Sequence, residues 1–169
     1  MRPATAILVG GVTVAALDIA DAFIFYGAGY HVGPARLLRG IASGLLGHAA
    51  FQGGAATALL GAGLHLFIST TIVAVYVIGT SRWPAVRARP WTMGALYGLI
   101  AYSVMYFVVL PRSRAAAPEF SVAPVLDEIF AHVCCVGIPA ALFARASRAA
   151  TPPPPGSPSP PETPDRRAV

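Results

Sequence analysis

The sequence predicts an all-α integral membrane protein: a four-helix bundle, with a short interfacial or re-entrant helix between the first two spans and a disordered, proline-rich C-terminal tail. Three observations predict it. Of 169 residues, 56% are hydrophobic and only 11% are charged, whereas a soluble domain carries about 25% charged residues. Mean hydropathy is +0.65. Four stretches reach the length of about 20 mostly apolar residues that a helix needs to cross a bilayer core.

The first span covers residues 4–26 and holds the run AILVGGVTVAAL, followed by Asp18 and Asp21. A cleaved signal peptide is the rival reading, because Arg2 precedes a short apolar run. Against it, apolar character resumes after Asp21 as AFIFYGAGY, without a clean small-residue cleavage site. Residues 34–47, PARLLRGIASGLLG, are too few to span. Leu37, Leu38, Ile41 and Leu45 share a helical face there, Arg36 and Arg39 lie elsewhere, and Pro34 suits a first helical turn.

The second span, 56–79, sits in an interval free of Asp, Glu, Lys and Arg from Gly40 to Ser81. The third, 91–110, is uncharged between Pro90 and Pro111, and the fourth, 125–144, is uncharged from Ile129 onward, with a kink expected at Pro139. Gly94 with Gly98, and Ala58 with Ala62, form small-residue pairs that favour close helix packing. The membrane domain therefore covers residues 1–148, and a tail follows over 149–169. Eight prolines between Pro152 and Pro164 preclude regular structure in that tail and favour polyproline II.

All twelve basic residues are arginine, and seven acids leave a net charge of +5. There is neither a nucleic-acid motif nor a clustered basic face, so the charge reads as topology and no nucleic-acid partner is expected. With four spans, one side holds Arg2, Arg82, Arg87, Arg89, Arg145, Arg148, Arg166 and Arg167. The other holds Arg36, Arg39, Arg112 and Arg114. The positive-inside rule then puts both termini in the cytoplasm, with Trp83 and Trp91 in the cytoplasmic aromatic belt and Tyr26 and Tyr30 in the outer one. The expected partners are the lipid bilayer and a second copy or another membrane protein.

The informative residues are ionisable side chains inside the spans. A rise of about 1.5 Å per residue puts Asp18, Asp21, His65, Tyr102, Tyr106, Glu128 and His132 roughly 5–14 Å below the outer boundary. Asp18 and Asp21 share a helix face, as do Glu128 and His132, His65 and Ser69, and Tyr102 and Tyr106. An aspartate at a helix centre costs about 2.5–3.5 kcal/mol on insertion scales, so such groups turn inward toward partners or water. A buried polar cluster of Asp18, Asp21, His65, Ser69, Tyr102, Tyr106, Glu128 and His132 is the resulting expectation.

Several chemistries fit that cluster. It can be a hydrogen-bond network that fixes helix register. It can be a proton or solute path. It can hold haem between His65 and His132, or a divalent metal on His65, His132 and Glu128, although the spacing is not the Glu-x-x-His of di-iron bundles and no cofactor is expected. Ser69 one turn from His65 is a weak sign of intramembrane hydrolysis, and the residues favour a non-enzymatic protein. His31 and His48 read as surface histidines, and the adjacent Cys134 and Cys135 as apolar fillers.

The stretch His65-Leu-Phe-Ile-Ser69 with Tyr76, then Trp91, Gly94, Gly98 and Pro111, then Asp127-Glu-Ile-Phe-Ala-His132, resembles small bacterial inner-membrane proteins of the YagU type. The run Ile41-Ala-Ser-Gly-Leu-Leu-Gly47 resembles short membrane proteins of similar layout. The likeness spans residues 41–146. It implies a bacterial inner-membrane location and draws attention to His65, Glu128 and His132. It brings no biochemical activity with it.

Overall fold

Proline starts most of the helices, because its missing N–H and fixed φ suit a first turn. In this computed structural model, which describes residues 1–116 and 120–147, α1 runs Pro3–Tyr30, α2 Pro34–Leu46 and α3 Gly54–Gly79. A short α4 follows at Pro84–Ala88. The last two spans, α5 at Pro90–Arg112 and α6 at Val122–Ala146, complete four helices long and apolar enough to cross a membrane. The expected proline-rich tail, with Arg148, Arg166 and Arg167, lies outside the described residues. At the end of α1, His31 takes the left-handed conformation at φ 54°, and the Val32 N–H reaches back to the Tyr26 carbonyl at 3.0 Å.

Both α5 and α6 contain a widened turn. The Leu110 N–H bonds to the carbonyl of Met105, and the Ile138 N–H to that of Val133, each five residues back rather than four. The next residues are Pro111 and Pro139. A proline inside a helix lacks a donor and crowds the carbonyl four residues back, and the wider turn relieves both problems. The expected disturbance at Pro139 therefore takes the form of a π-type turn over His132–Gly137, with its twin at Met105–Val109.

Small residues set the helix spacing. A methyl group on Gly94 would lie 2.7 Å from Cα of Ile138, and one on Gly98 2.7 Å from Cα of Val133, so these two glycines are the seam between α5 and α6. Gly137 meets the same seam from α6. Gly11 does the same for α1 against Thr70 of α3. Side chains interlock below that seam. Val14, Val73, Tyr76, Val77, Val136, Ala140, Ala141 and Ala144 form a core that joins α1, α3 and α6. Tyr97 of α5 closes onto it, its hydroxyl donating to the Ile72 carbonyl at 2.7 Å and its ring 4.7 Å from that of Tyr76.

This half of the bundle ends in a tied-down rim. The Met1 amino group donates to the Ala146 carbonyl at 3.3 Å, so the start of α1 and the end of α6 share one end of the bundle. There the Arg87 guanidinium donates to the Val77 carbonyl at 2.6 Å, to Thr80 Oγ1 at 3.2 Å, and to the carbonyl and Oγ of Ser147 at 3.1 and 3.2 Å.

The opposite half is spread apart, and α2 fills part of the opening. Its backbone passes so close to Gly61 that a methyl group there would meet the Leu38 carbonyl group. Gly61 lies seven residues into α3, about 10 Å along its axis. Helix α2 is thus inserted against α3 rather than laid over its end. Leu37, Leu38 and Ile41 are half-buried as expected, but Leu45 is 54% exposed and leaves the predicted apolar face. The α2 end is held instead by its backbone, where the Arg114 N–H donates to the Gly44 carbonyl at 2.8 Å.

Large apolar side chains face outward on every span, among them Ile24 at 71%, Leu59 at 74%, Phe67 at 68% and Phe107 at 67% exposed. A belt of this extent suits contact with lipid.

Candidate functional site

The site begins with two aspartates on the spread half of α1. Asp18 and Asp21 are one helical turn apart, and His65 of α3 comes up to the first of them. His65 Nε2 lies 2.9 Å from the Ala15 carbonyl oxygen. A carbonyl only accepts, so Nε2 carries the hydrogen and donates it. Asp18 Oδ2 stands 3.8 Å from the same nitrogen, a charge neighbour beyond hydrogen-bond length.

The facing wall comes from α6. The ring of His132 donates through Nδ1 to the Glu128 carbonyl of its own helix at 2.9 Å, which leaves Nε2 for other partners. Its ring lies nearly perpendicular to that of Tyr102, centroids 5.7 Å apart, and Tyr102 stacks on Tyr106 at 5.7 Å. Gly98 makes this junction feasible, since any side chain there would collide with the His132 carbonyl.

These groups surround one cavity of about 760 Å³. Helix α1 supplies Asp18, Asp21 and Tyr26, and α3 supplies His65 and Ile68. Helix α2 and the turn after it add Leu37, Ile41, His48 and Phe51. The widened end of α5 brings Met105 and Tyr106, the following loop Arg114, and α6 brings Asp127, Glu128 and His132. Both π-type turns therefore border the cavity, where such turns are often functional. A second hollow of about 490 Å³ runs along α3 from Phe67 to Gly79 and has no ionisable lining.

Of the eight residues predicted from sequence, six line the cavity: Asp18, Asp21, His65, Tyr106, Glu128 and His132. Tyr102 sits behind them and buttresses His132. Ser69 does not belong. It is 4% exposed and buried one turn beyond His65, away from the lining, while the His65 Nε2 is committed to Ala15. The expected burial also needs correction. Asp18, Asp21, His65, Tyr102, Tyr106 and His132 are half-buried and Glu128 is exposed, so the polar groups form the wall of an open cavity and not a sealed core.

Sequence reasoning missed Asp127, His48 and Arg114. Asp127 was legible as a fourth carboxylate next to Glu128. His48 reads by sequence as a surface histidine and Arg114 as an outer-side loop charge; His48 lies in the turn after α2, and Arg114 is tied to α2 through its N–H bond to the Gly44 carbonyl. Four carboxylates thus share the lining with one guanidinium, that of Arg114, among the described residues. The Oδ2 of Asp21 is enclosed and has no hydrogen-bond partner among the described residues. His65, His132 and Glu128, the metal candidates expected from sequence, all line the cavity, yet no group of three His, Cys, Asp or Glu among the described residues is placed to hold a metal ion. Comparison with family models, curated proteins and solved structures gives no match to this chain.

Proposed function

We propose that this chain is a non-enzymatic, multi-pass membrane protein whose acid- and histidine-lined cavity takes up a solute or protons from the outer side of a bacterial inner membrane. The observation that supports the reading is the division of the bundle. One half is closed by the Gly94–Gly98–Gly137 seam and the valine–alanine core, while Asp18, Asp21, His65, Asp127, Glu128 and His132 line one cavity in the other. Ionisable groups in a membrane segment are costly, and they are usually retained where they face water or conduct protons. Acids and histidines within membrane segments recur in proton relays, and His65 and His132 both line this cavity. The arginine-rich end, with Met1 and Ala146, faces the cytoplasm in this reading, and the cavity faces outward.

The test is reconstitution of the purified full chain in liposomes loaded with a pH-sensitive dye. A pH step is expected to drive proton uptake that falls at least severalfold in His65→Ala and His132→Ala. Absence of uptake by the wild type, or uptake unchanged in both variants, would overturn the proposal.

A further inference from the structure

The character of the cavity narrows what it accepts, taking as given that it is a solute site. Its size is the first constraint. About 760 Å³ falls within the range of about 300–1,000 Å³ found for organic ligand sites, far more than a single inorganic ion fills. The sign of its charge is the second. Asp18 and Asp21 from α1, and Asp127 and Glu128 from α6, line it with one guanidinium among the described residues, so the acidic side chains outnumber the basic one on two walls.

The remaining constraints concern how a cation would be held. Among the described residues no three ligands are placed to hold a metal, which argues against a small divalent ion as the fitted guest. The enclosed Oδ2 of Asp21 has no donor among those residues, so the hydrogen-bonding need of this carboxylate is unmet by the protein groups around it. Much of the rest of the wall is apolar or aromatic, including Ile41, Ile68, Tyr26 and Tyr106. Aromatic faces attract a desolvated cation, and aliphatic side chains bury the hydrocarbon attached to it.

We infer that the cavity binds a monovalent amphipathic organic cation, an ammonium or phosphonium with an apolar body, its charge directed at Asp21 and Asp127. The probe is tetraphenylphosphonium, titrated calorimetrically into the full chain in neutral detergent, with tetraphenylborate as a partner of the same shape and opposite charge. Saturable one-site binding of the cation is expected, with the anion at least about tenfold weaker. Asp21→Asn combined with Asp127→Asn should weaken the cation by at least about tenfold and leave the thermal midpoint of the protein within a few degrees.

The comparison of the two probes needs no variant, so it stands even where the double substitution fails to fold. Equal binding of both probes, or no saturable binding of the cation, would overturn the inference. Cation binding without proton uptake in liposomes removes proton handling and leaves this assignment standing. Proton uptake without cation binding does the reverse.

Discussion

His65 of α3 donates its Nε2 hydrogen to the carbonyl oxygen of Ala15 on α1 at 2.9 Å, across the crossing that divides the closed half of the bundle from the open half. The bond is made one turn of α1 beyond Gly11, which packs closely against Thr70 of α3. It fixes the imidazole beside Asp18 and makes the histidine a joint between helices as well as a cavity wall. Replacing His65 by Ala removes this joint. Side-chain hydrogen bonds between membrane helices are worth about 0.6 kcal/mol on average and up to about 1.7. A loss of about 1 kcal/mol is expected in SDS-titrated unfolding, and a change below the error of that measurement would count against the joint.

The glycine seam predicts a contrast within one pair of substitutions. Gly98→Ala places a methyl group 2.7 Å from Cα of Val133 and against the His132 carbonyl, where backbone must move. A cost of about 1–3 kcal/mol is expected. Gly63→Ala, with nothing within 4 Å of the new methyl group, gains helix propensity of up to about 1 kcal/mol. Equal melting temperatures for the two variants would contradict the seam.

Arg87 predicts a substitution that its nearest chemical relative cannot rescue. Its forked guanidinium ties Val77, Thr80 and Ser147 together from three nitrogens. A lysine ammonium is a single point donor and cannot span that set. Both Arg87→Ala and Arg87→Lys are expected to lower stability by about 1–3 kcal/mol and to raise the rate of proteolysis in the 80–89 connection. A Lys variant indistinguishable from the wild type would show that charge alone suffices.

The proposed orientation, with the Met1–Ala146 end in the cytoplasm, rests on the arginine count and is open to a direct test. A fluorescent protein fused after residue 169 should be bright in bacterial cells, and alkaline phosphatase at the same place inactive. The opposite pair of results would invert the bundle and turn the cavity toward the cytoplasm.

Much of this architecture was legible in the sequence because membrane spans declare themselves by length and apolarity. The observed ends of the four spanning helices fall within a few residues of the expected ones, and Gly94 and Gly98 are a packing seam as their spacing indicated. In α3 the close contact falls on Gly61 rather than being read from Ala58 and Ala62, since the partner is the inserted α2. The site was legible in part. Depth along a helix can be counted from sequence, which placed Asp18, Asp21, His65 and His132 at comparable heights. Direction cannot be counted across a widened turn, and exposure depends on how far the helices spread. Ser69, Glu128 and Leu45 were misjudged for that reason, and His48 and Arg114 overlooked.

The widened turn in α6 puts two unlike segments of one helix in phase with the same interior. An extra residue in a turn rotates everything beyond it by about 100° relative to an unbroken helix. Asp127 and Ala131 look into the cavity above the turn, while Ala140, Ala141 and Ala144 look into the core below it. Removing one residue from 132–137 would leave α6 just as hydrophobic and just as able to cross a bilayer. It would also swing either the acids toward the acyl chains or the alanines out of the seam, so the length of this short insert, more than its composition, keeps charge off the lipid.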